Sequence, residues 1–192
     1  MTADVRPSSV ARLVGSQGDS YVWTPDYAGA SGSSVALFEN PGKLLRYGST
    51  YHVDRTTMVD FAGNQLAPFE FKTPPAPPLV ASAKNLAIPI GCDERFPTRT
   101  ALRLAIPTGG RSVHVVYRGT TSAPTSFSLL VGVEGQGPIT AWSQLVTSNA
   151  VAADPLLPAG ATMDVMVALS ATRTTCPVAS TDDVVVDDVV VR

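Results

Sequence analysis

At 192 residues the chain has room for one large domain or two small ones, each able to bury a core. It is 44% apolar and only 16% charged, with 16 prolines and 15 glycines scattered through it, which suits short strands separated by turns and does not suit helices. A net charge of -2 without a basic cluster leaves no footprint for nucleic acid, and no apolar run approaches the roughly 20 residues of a membrane span, so neither partner is expected.

In chain order, Val10 to Val14, Tyr21 to Trp23 and Val35 to Glu39 are short strand candidates, and Asn40-Pro41-Gly42 is a turn. Lys43 to Lys72 is better patterned. Tyr51 and Val53 are predicted on one side of a strand and His52 and Asp54 on the other, with Phe69 and Phe71 doing the same on a return strand. Gly63 and Asn64 tolerate the positive φ of the connecting turn. This stretch, with its leucine pair before a Gly turn, Asp60 ahead of Ala62-Gly63-Asn64 and the closing Phe69, Phe71 and Thr73, resembles the C-terminal half of bacterial Ig-like domains of the SbsA type. The resemblance implies an Ig-like β-sandwich, partial or truncated, over residues 1–73.

Thr73 to Pro78 holds four prolines in six residues, which predicts a stiff extended linker over residues 74–84. From 85 to 192 a second all-β domain is expected. Leu86–Ile90, Thr100–Ile106, Ser112–Arg118, Thr125–Glu134, Thr140–Val146, Thr162–Ser170 and Asp183–Val191 all read as strands. Alternation assigns core faces to Val113, Val115 and Tyr117, to Phe127, Leu129, Val131 and Val133, and to Met163, Val165, Val167 and Leu169. Asn149 to Gly160 reads as a loop with room for one helical turn around Val151. Strict alternation in the last strand puts Asp187 on one face with Asp183, Val185, Val189 and Val191, where a carboxylate is costly unless paired, hydrogen-bonded or bound to a metal.

Seven or eight strands with no helix between them fit a sandwich of two antiparallel sheets. Trp142 in a strand after a turn, Leu157-Pro158-Ala159-Gly160 before a long strand, and the closing Asp187-Asp188-Val189-Val190-Val191 resemble the jelly-roll sandwiches of carbohydrate-binding modules and galactose-binding-like domains. In that family the first Asp of such a pair often helps to hold a structural calcium. Asp93, Glu94 and Asp187 are the hard oxygen ligands for such an ion here, the other reading being acids solvated or paired with Arg95, Arg173 or Arg192. Cys92 and Cys176, the only cysteines, are expected to form a disulfide, with two separate buried thiols as the alternative. A bridge over that span stabilises by roughly 4 kcal/mol on the loop-entropy model and implies an oxidising compartment.

Catalysis has little to stand on in these residues. Within Asp182-Asp183 and Asp187-Asp188 the side chains of a strand diverge, His52 and His114 are isolated on separate strands, and no GxSxG motif occurs. The remaining route to a ligand is an aromatic ring with polar neighbours, which selects Trp142, shared between core and ligand face, together with His114 and Arg118, with Glu134 expected on the outward face of its strand as a further groove-lining residue. The expectation is a non-catalytic extracellular or cell-surface protein, an Ig-like spacer followed by a module for polysaccharide or a surface glycan, with any secretion signal lying outside this chain. The alternatives are an ancillary segment of a larger secreted hydrolase or protease, and a purely structural stalk.

Overall fold

The computed structural model describes residues 11–23, 26–28, 35–37, 45–54, 70–92, 98–136, 139–175 and 178–192. The fold is all-β, with no helix among these residues. The chain divides into two compact units, residues 1–76 and 77–192.

The first unit contains β1 (Ala11–Gly15), β2 (Ser20–Trp23), β3 (Asp26–Ala28), β4 (Val35–Leu37), β5 (Thr50–Asp54) and β6 (Glu70–Lys72). Four of them form an antiparallel sheet in the order β2-β1-β5-β6, and β3 pairs with β4 as a separate ribbon. Alternation operates as expected at Tyr51. Its ring is fully buried with Leu13 and stacks on Phe71, the residue opposite it on β6, at a centroid distance of 5.5 Å. On the other face the next pair in register, His52 and Glu70, brings Nδ1 to 3.0 Å from a carboxylate oxygen, with both side chains exposed.

A buried tyrosine needs a partner for its hydroxyl. Tyr51 Oη donates to Asp19 Oδ2 at 2.6 Å and accepts the Arg46 amide at 2.8 Å. Gly15 makes room for this arrangement, since a Cβ there would collide with the Asp19 carboxylate and the Tyr51 ring. Thr73 closes the unit. Its hydroxyl accepts the Ser49 amide at 2.9 Å and donates to the Arg46 carbonyl at 2.7 Å, while the Pro74 carbonyl accepts the Gly48 amide at 2.7 Å. Phe69, Asp60, Gly63 and Asn64 lie outside the described residues.

The second unit contains β7 (Leu79–Val80), β8 (Ser82–Ala87), β9 (Ile90–Gly91), β10 (Thr100–Ala105), β11 (Val113–Thr120), β12 (Ser126–Gly132), β13 (Thr140–Leu145), β14 (Val151–Ala153), β15 (Asp164–Thr172) and β16 (Asp183–Val191). One sheet runs β13-β12-β15-β10-β7, with the short β9 continuing alongside β15; the other runs β14-β11-β16-β8. Pairing is antiparallel except for β7 with β10 and β9 with β15. Leu104, Phe127, Leu129, Val131, Val165, Val167 and Leu169 of the first sheet share one core with Val113, Val115, Tyr117, Val184, Val186, Val189 and Val191 of the second. Two sheets closing on one apolar layer make a β-sandwich, and each such side chain contributes roughly 1.5–3 kcal/mol by leaving water.

Four expectations change, three of them local. Residues 79–84 are not linker: Leu79 and Val80 pair with Arg103 and Leu104, and Ser82 to Lys84 pair with β16. The prolines stop at Pro78, so every residue from Leu79 to Lys84 keeps its amide and can pair in a sheet. Around Val151 there is a strand, not a helical turn, because Val151 to Ala153 find partners on β11. Met163 is 78% exposed and stands outside the core, just ahead of the first residue of β15.

The largest change is in β16. Its register with β11 runs unbroken from Val191 to Asp188, which faces Val116, and then slips so that Val186 faces Tyr117. Asp187 is the extra residue of a β-bulge. Strict alternation therefore fails in one place. Val189 and Val191 are buried as expected, but Val184 and Val186 are buried with them, and Asp187 leaves the apolar face on which alternation put it. On the neighbouring strand the same level is held by Asn85, between the pairs Val186–Leu86 and Asp188–Lys84, and Asn85 has a φ of 53°. Both strands thus bend at the Asp-Asp doublet.

Candidate functional site

The outer face of the sheet β14-β11-β16-β8 gathers the polar residues singled out in the sequence. On β11 the residues between the core positions, His114, Val116 and Arg118, point away from the core. His114 Nδ1 lies 2.7 Å from Asp154 Oδ1, just beyond β14, with the imidazole 13% exposed and the carboxylate 57% exposed. Four residues along, Arg118 Nε donates to both oxygens of Asp187 at 3.1 and 3.2 Å. The bulge makes this pair, because it carries the Asp187 side chain off the core phase and toward the strand that bears Arg118.

Between the two ion pairs lie Val116 and Val190, both half-buried, and Asp188, which stands in register between Val116 and Lys84. One oxygen of Asp188 is buried with no hydrogen-bond partner. The face therefore alternates β-branched apolar surface with neighbouring donors and acceptors. Its Arg118 guanidinium is matched by the Asp187 carboxylate, and the His114 ring is held against Asp154, so neither group is left open to select an anion. Exposed pairs of this kind contribute at most about 1 kcal/mol each to stability.

Trp142 is not part of this face. It lies on β13 of the opposite sheet and turns inward, edge-on to Tyr117 at 5.7 Å and to Phe127 at 6.2 Å. Glu134, in the turn after β12, is also elsewhere, close enough to the Arg103–Asp164 pair of the other sheet to act on Arg103. Of the three ligand candidates the structure brings His114 and Arg118 together and separates Trp142 from them. Asp154 escaped the sequence reading, since nothing in a stretch 40 residues away marks it as the partner of His114.

Asp187 is engaged with a cation. Asp93 and Glu94, its expected companions around calcium, lie outside the described residues. Among the described residues no group of three or more His, Cys, Asp or Glu is placed to hold a metal. Cys92 is disulfide-bonded, and the one other cysteine of the chain, Cys176, lies outside the described residues.

No protein-family model, curated protein or solved structure matches the chain.

A second polar centre lies where β16 begins. Arg173 Nη1 donates to Asp182 Oδ2 at 2.6 Å, and the two side chains are 0% and 1% exposed. Asp182 also accepts the Ser122 amide and hydroxyl and the Ala179 amide, at 2.6 to 3.0 Å. Asp182 also borders an open groove of about 430 Å³, otherwise lined by apolar side chains such as Ile88, Pro89, Ile90 and Val178 and by Asp183. With its oxygens already committed to four donors, Asp182 is a structural anchor.

Proposed function

We propose that the chain is a non-catalytic extracellular or cell-surface protein in which an SbsA-like Ig spacer precedes a jelly-roll-like module for a carbohydrate or similarly hydroxylated surface. The observation that carries this reading is the outer face of the β14-β11-β16-β8 sheet, where His114–Asp154 and Arg118–Asp187 flank half-buried valines. An ion pair sets a donor beside an acceptor at a fixed spacing, which suits the neighbouring hydroxyls of a sugar ring, and valine side chains suit the C–H surface of the ring. The disulfide at Cys92 favours an oxidising compartment.

The test is a panel of soluble and insoluble polysaccharides probed with wild type, His114→Ala, Arg118→Ala and Trp142→Ala, beside a substrate panel for glycoside, ester and peptide hydrolysis. Binding that falls at least about tenfold in the two outer-face variants, roughly 1.4 kcal/mol, is the expected result. Trp142→Ala should lower stability and leave affinity in the folded fraction unchanged. Glycan binding that survives both outer-face substitutions, absence of any glycan binding, or turnover well above buffer would overturn the reading.

A further inference from the structure

An edge strand offers a row of unpaired amides and carbonyls to any other strand, and proteins that stay monomeric blunt such edges with short strands, Pro, Lys or a local twist. Three ends of the sandwich are blunted in these ways. β7 is two residues long and follows Pro77-Pro78. β14 is three residues long and is followed closely by Pro155. β8 carries Lys84 and is twisted at Asn85, whose φ is 53°.

The fourth end, β13, is neither short nor charged and holds no proline within it, Pro138 standing two residues ahead of Thr140. It is six residues, Thr-Ala-Trp-Ser-Gln-Leu, without a charge, a proline or a positive φ, and its register with β12 is unbroken from Thr140 to Leu145. Among the described residues β12 is its only paired neighbour. Ala141, Ser143, Gln144 and Leu145 are exposed, Leu145 by 57%.

We infer that β13 is a self-association edge, on which a second copy of this chain adds its own β13 antiparallel and joins two sheets into one. A copy fits because the strand is uncharged and so meets its own image without repulsion. Parity then restricts the register, because residues directly opposite in an antiparallel pair share a face. A twofold axis at Ser143 obeys this rule and sets Ala141 opposite Leu145 of the second copy, twice over. That register covers the exposed leucine of each copy with the small alanine of the other. The main-chain bonds of six residues bury little area, so the dimer is weak, with a dissociation constant in the roughly micromolar to millimolar range.

The test is sedimentation equilibrium of the full chain over that concentration range, on wild type, Ala141→Lys/Leu145→Lys and Ala141→Glu/Leu145→Glu. Both positions are exposed, so thermal unfolding should be unchanged and serves as the control for folding. Wild type should move from the mass of one chain toward that of two. Each charged variant alone should associate at least about tenfold more weakly, and an equimolar mixture of the two should recover association, because every facing pair then becomes opposite in charge. A wild type that stays monomeric throughout, a lysine variant that associates as well as wild type, or a mixture no stronger than its components would each overturn the inference.

Discussion

Arg173 and Asp182 form an ion pair that water does not reach, with Nη1 and Oδ2 2.6 Å apart and the two side chains 0% and 1% exposed. Asp182 is fully supplied with donors, whereas Nε and Nη2 of Arg173 are buried without partners. The pair joins the end of β15 to the start of β16. The Arg173 amide also donates to the carbonyl of Gly91, the residue before the disulfide-bonded Cys92. Removing one member of such a pair leaves an uncompensated buried charge, so Arg173→Met should lower the melting temperature of the second unit by at least about 10 °C. Calorimetry on the variant measures this directly.

The same pair sets an acid limit. Burial pushes the Asp182 carboxyl up, but the Arg173 guanidinium, the Ser122 amide and hydroxyl and the Ala179 amide together outweigh it and hold the carboxyl at about 2, below its ordinary 3.8. A carboxyl with a depressed folded-state value contributes stability that is complete above the unfolded value and is lost as pH falls through the folded one. The second unit should therefore lose stability between about pH 4 and about pH 2. Asp182→Asn should be less stable than wild type near neutrality and show a shallower slope in that window. Parallel slopes in urea titrations at stepped pH would remove Asp182 as the cause.

The bulge in β16 makes a sharp prediction about chain length. Deleting Asp187 restores plain alternation, with Val184, Val186, Val189 and Val191 still inward and Asp183, Val185, Asp188 and Val190 outward. Asn85 then becomes the unmatched residue on β8, and its φ of 53° already suits that role. Deleting Val185 instead leaves no register that keeps every carboxylate out, since either Asp187 or Asp183 must then enter the core. The first deletion should cost less than about 2 kcal/mol, and the second should prevent folding of the unit. Circular dichroism and urea unfolding of both variants decide it, and equal damage from the two would be evidence against the bulge.

The core of the sandwich was legible where a strand is regular. Val113, Val115 and Tyr117, and Phe127, Leu129 and Val131, repeat at a period of two and are all buried. The period failed in β16 because one bulged residue inverts every face beyond it, and the only trace in the sequence is the Asp-Asp doublet. At Val151 three residues are too few to carry a pattern, so their pairing was set by β11 and not by local preference. His114 and Arg118 could be placed outward from alternation alone. Their carboxylate partners could not, since Asp154 and Asp187 arrive through the sheet topology from 40 and 69 residues away.

Proteolysis should distinguish the short linker from the long one. Thr73 and Pro74 are tied into the first unit by hydrogen bonds, and Leu79 begins β7 of the second. Only Pro75 to Pro78 lies between them, and three of those four residues are proline, which most proteases refuse. A prolyl-specific endoprotease should cut there and release the second unit folded, whereas trypsin should leave Lys84 intact because it is held in β8. Early tryptic cleavage at Lys84 would return residues 79–84 to the linker.

Two buried tyrosines should respond in opposite directions to the same substitution. Tyr51 and Tyr117 are both fully buried, but Tyr51 Oη bonds Asp19 and the Arg46 amide, while Tyr117 Oη has no partner. Burial accordingly pushes the Tyr117 phenol above its ordinary value of 10.0. Tyr51→Phe removes the hydroxyl that donates to Asp19 and accepts from the Arg46 amide, and should cost about 1–3 kcal/mol. Tyr117→Phe removes an unmet polar atom and keeps the ring stacked on Phe127 at 4.2 Å, so it should be neutral or stabilise by about 1 kcal/mol. Denaturant unfolding of both variants, followed in the unit that carries each, measures the contrast. A Tyr117→Phe variant clearly less stable than wild type would mean that the hydroxyl has a partner, with an ordered water in the core as the first candidate.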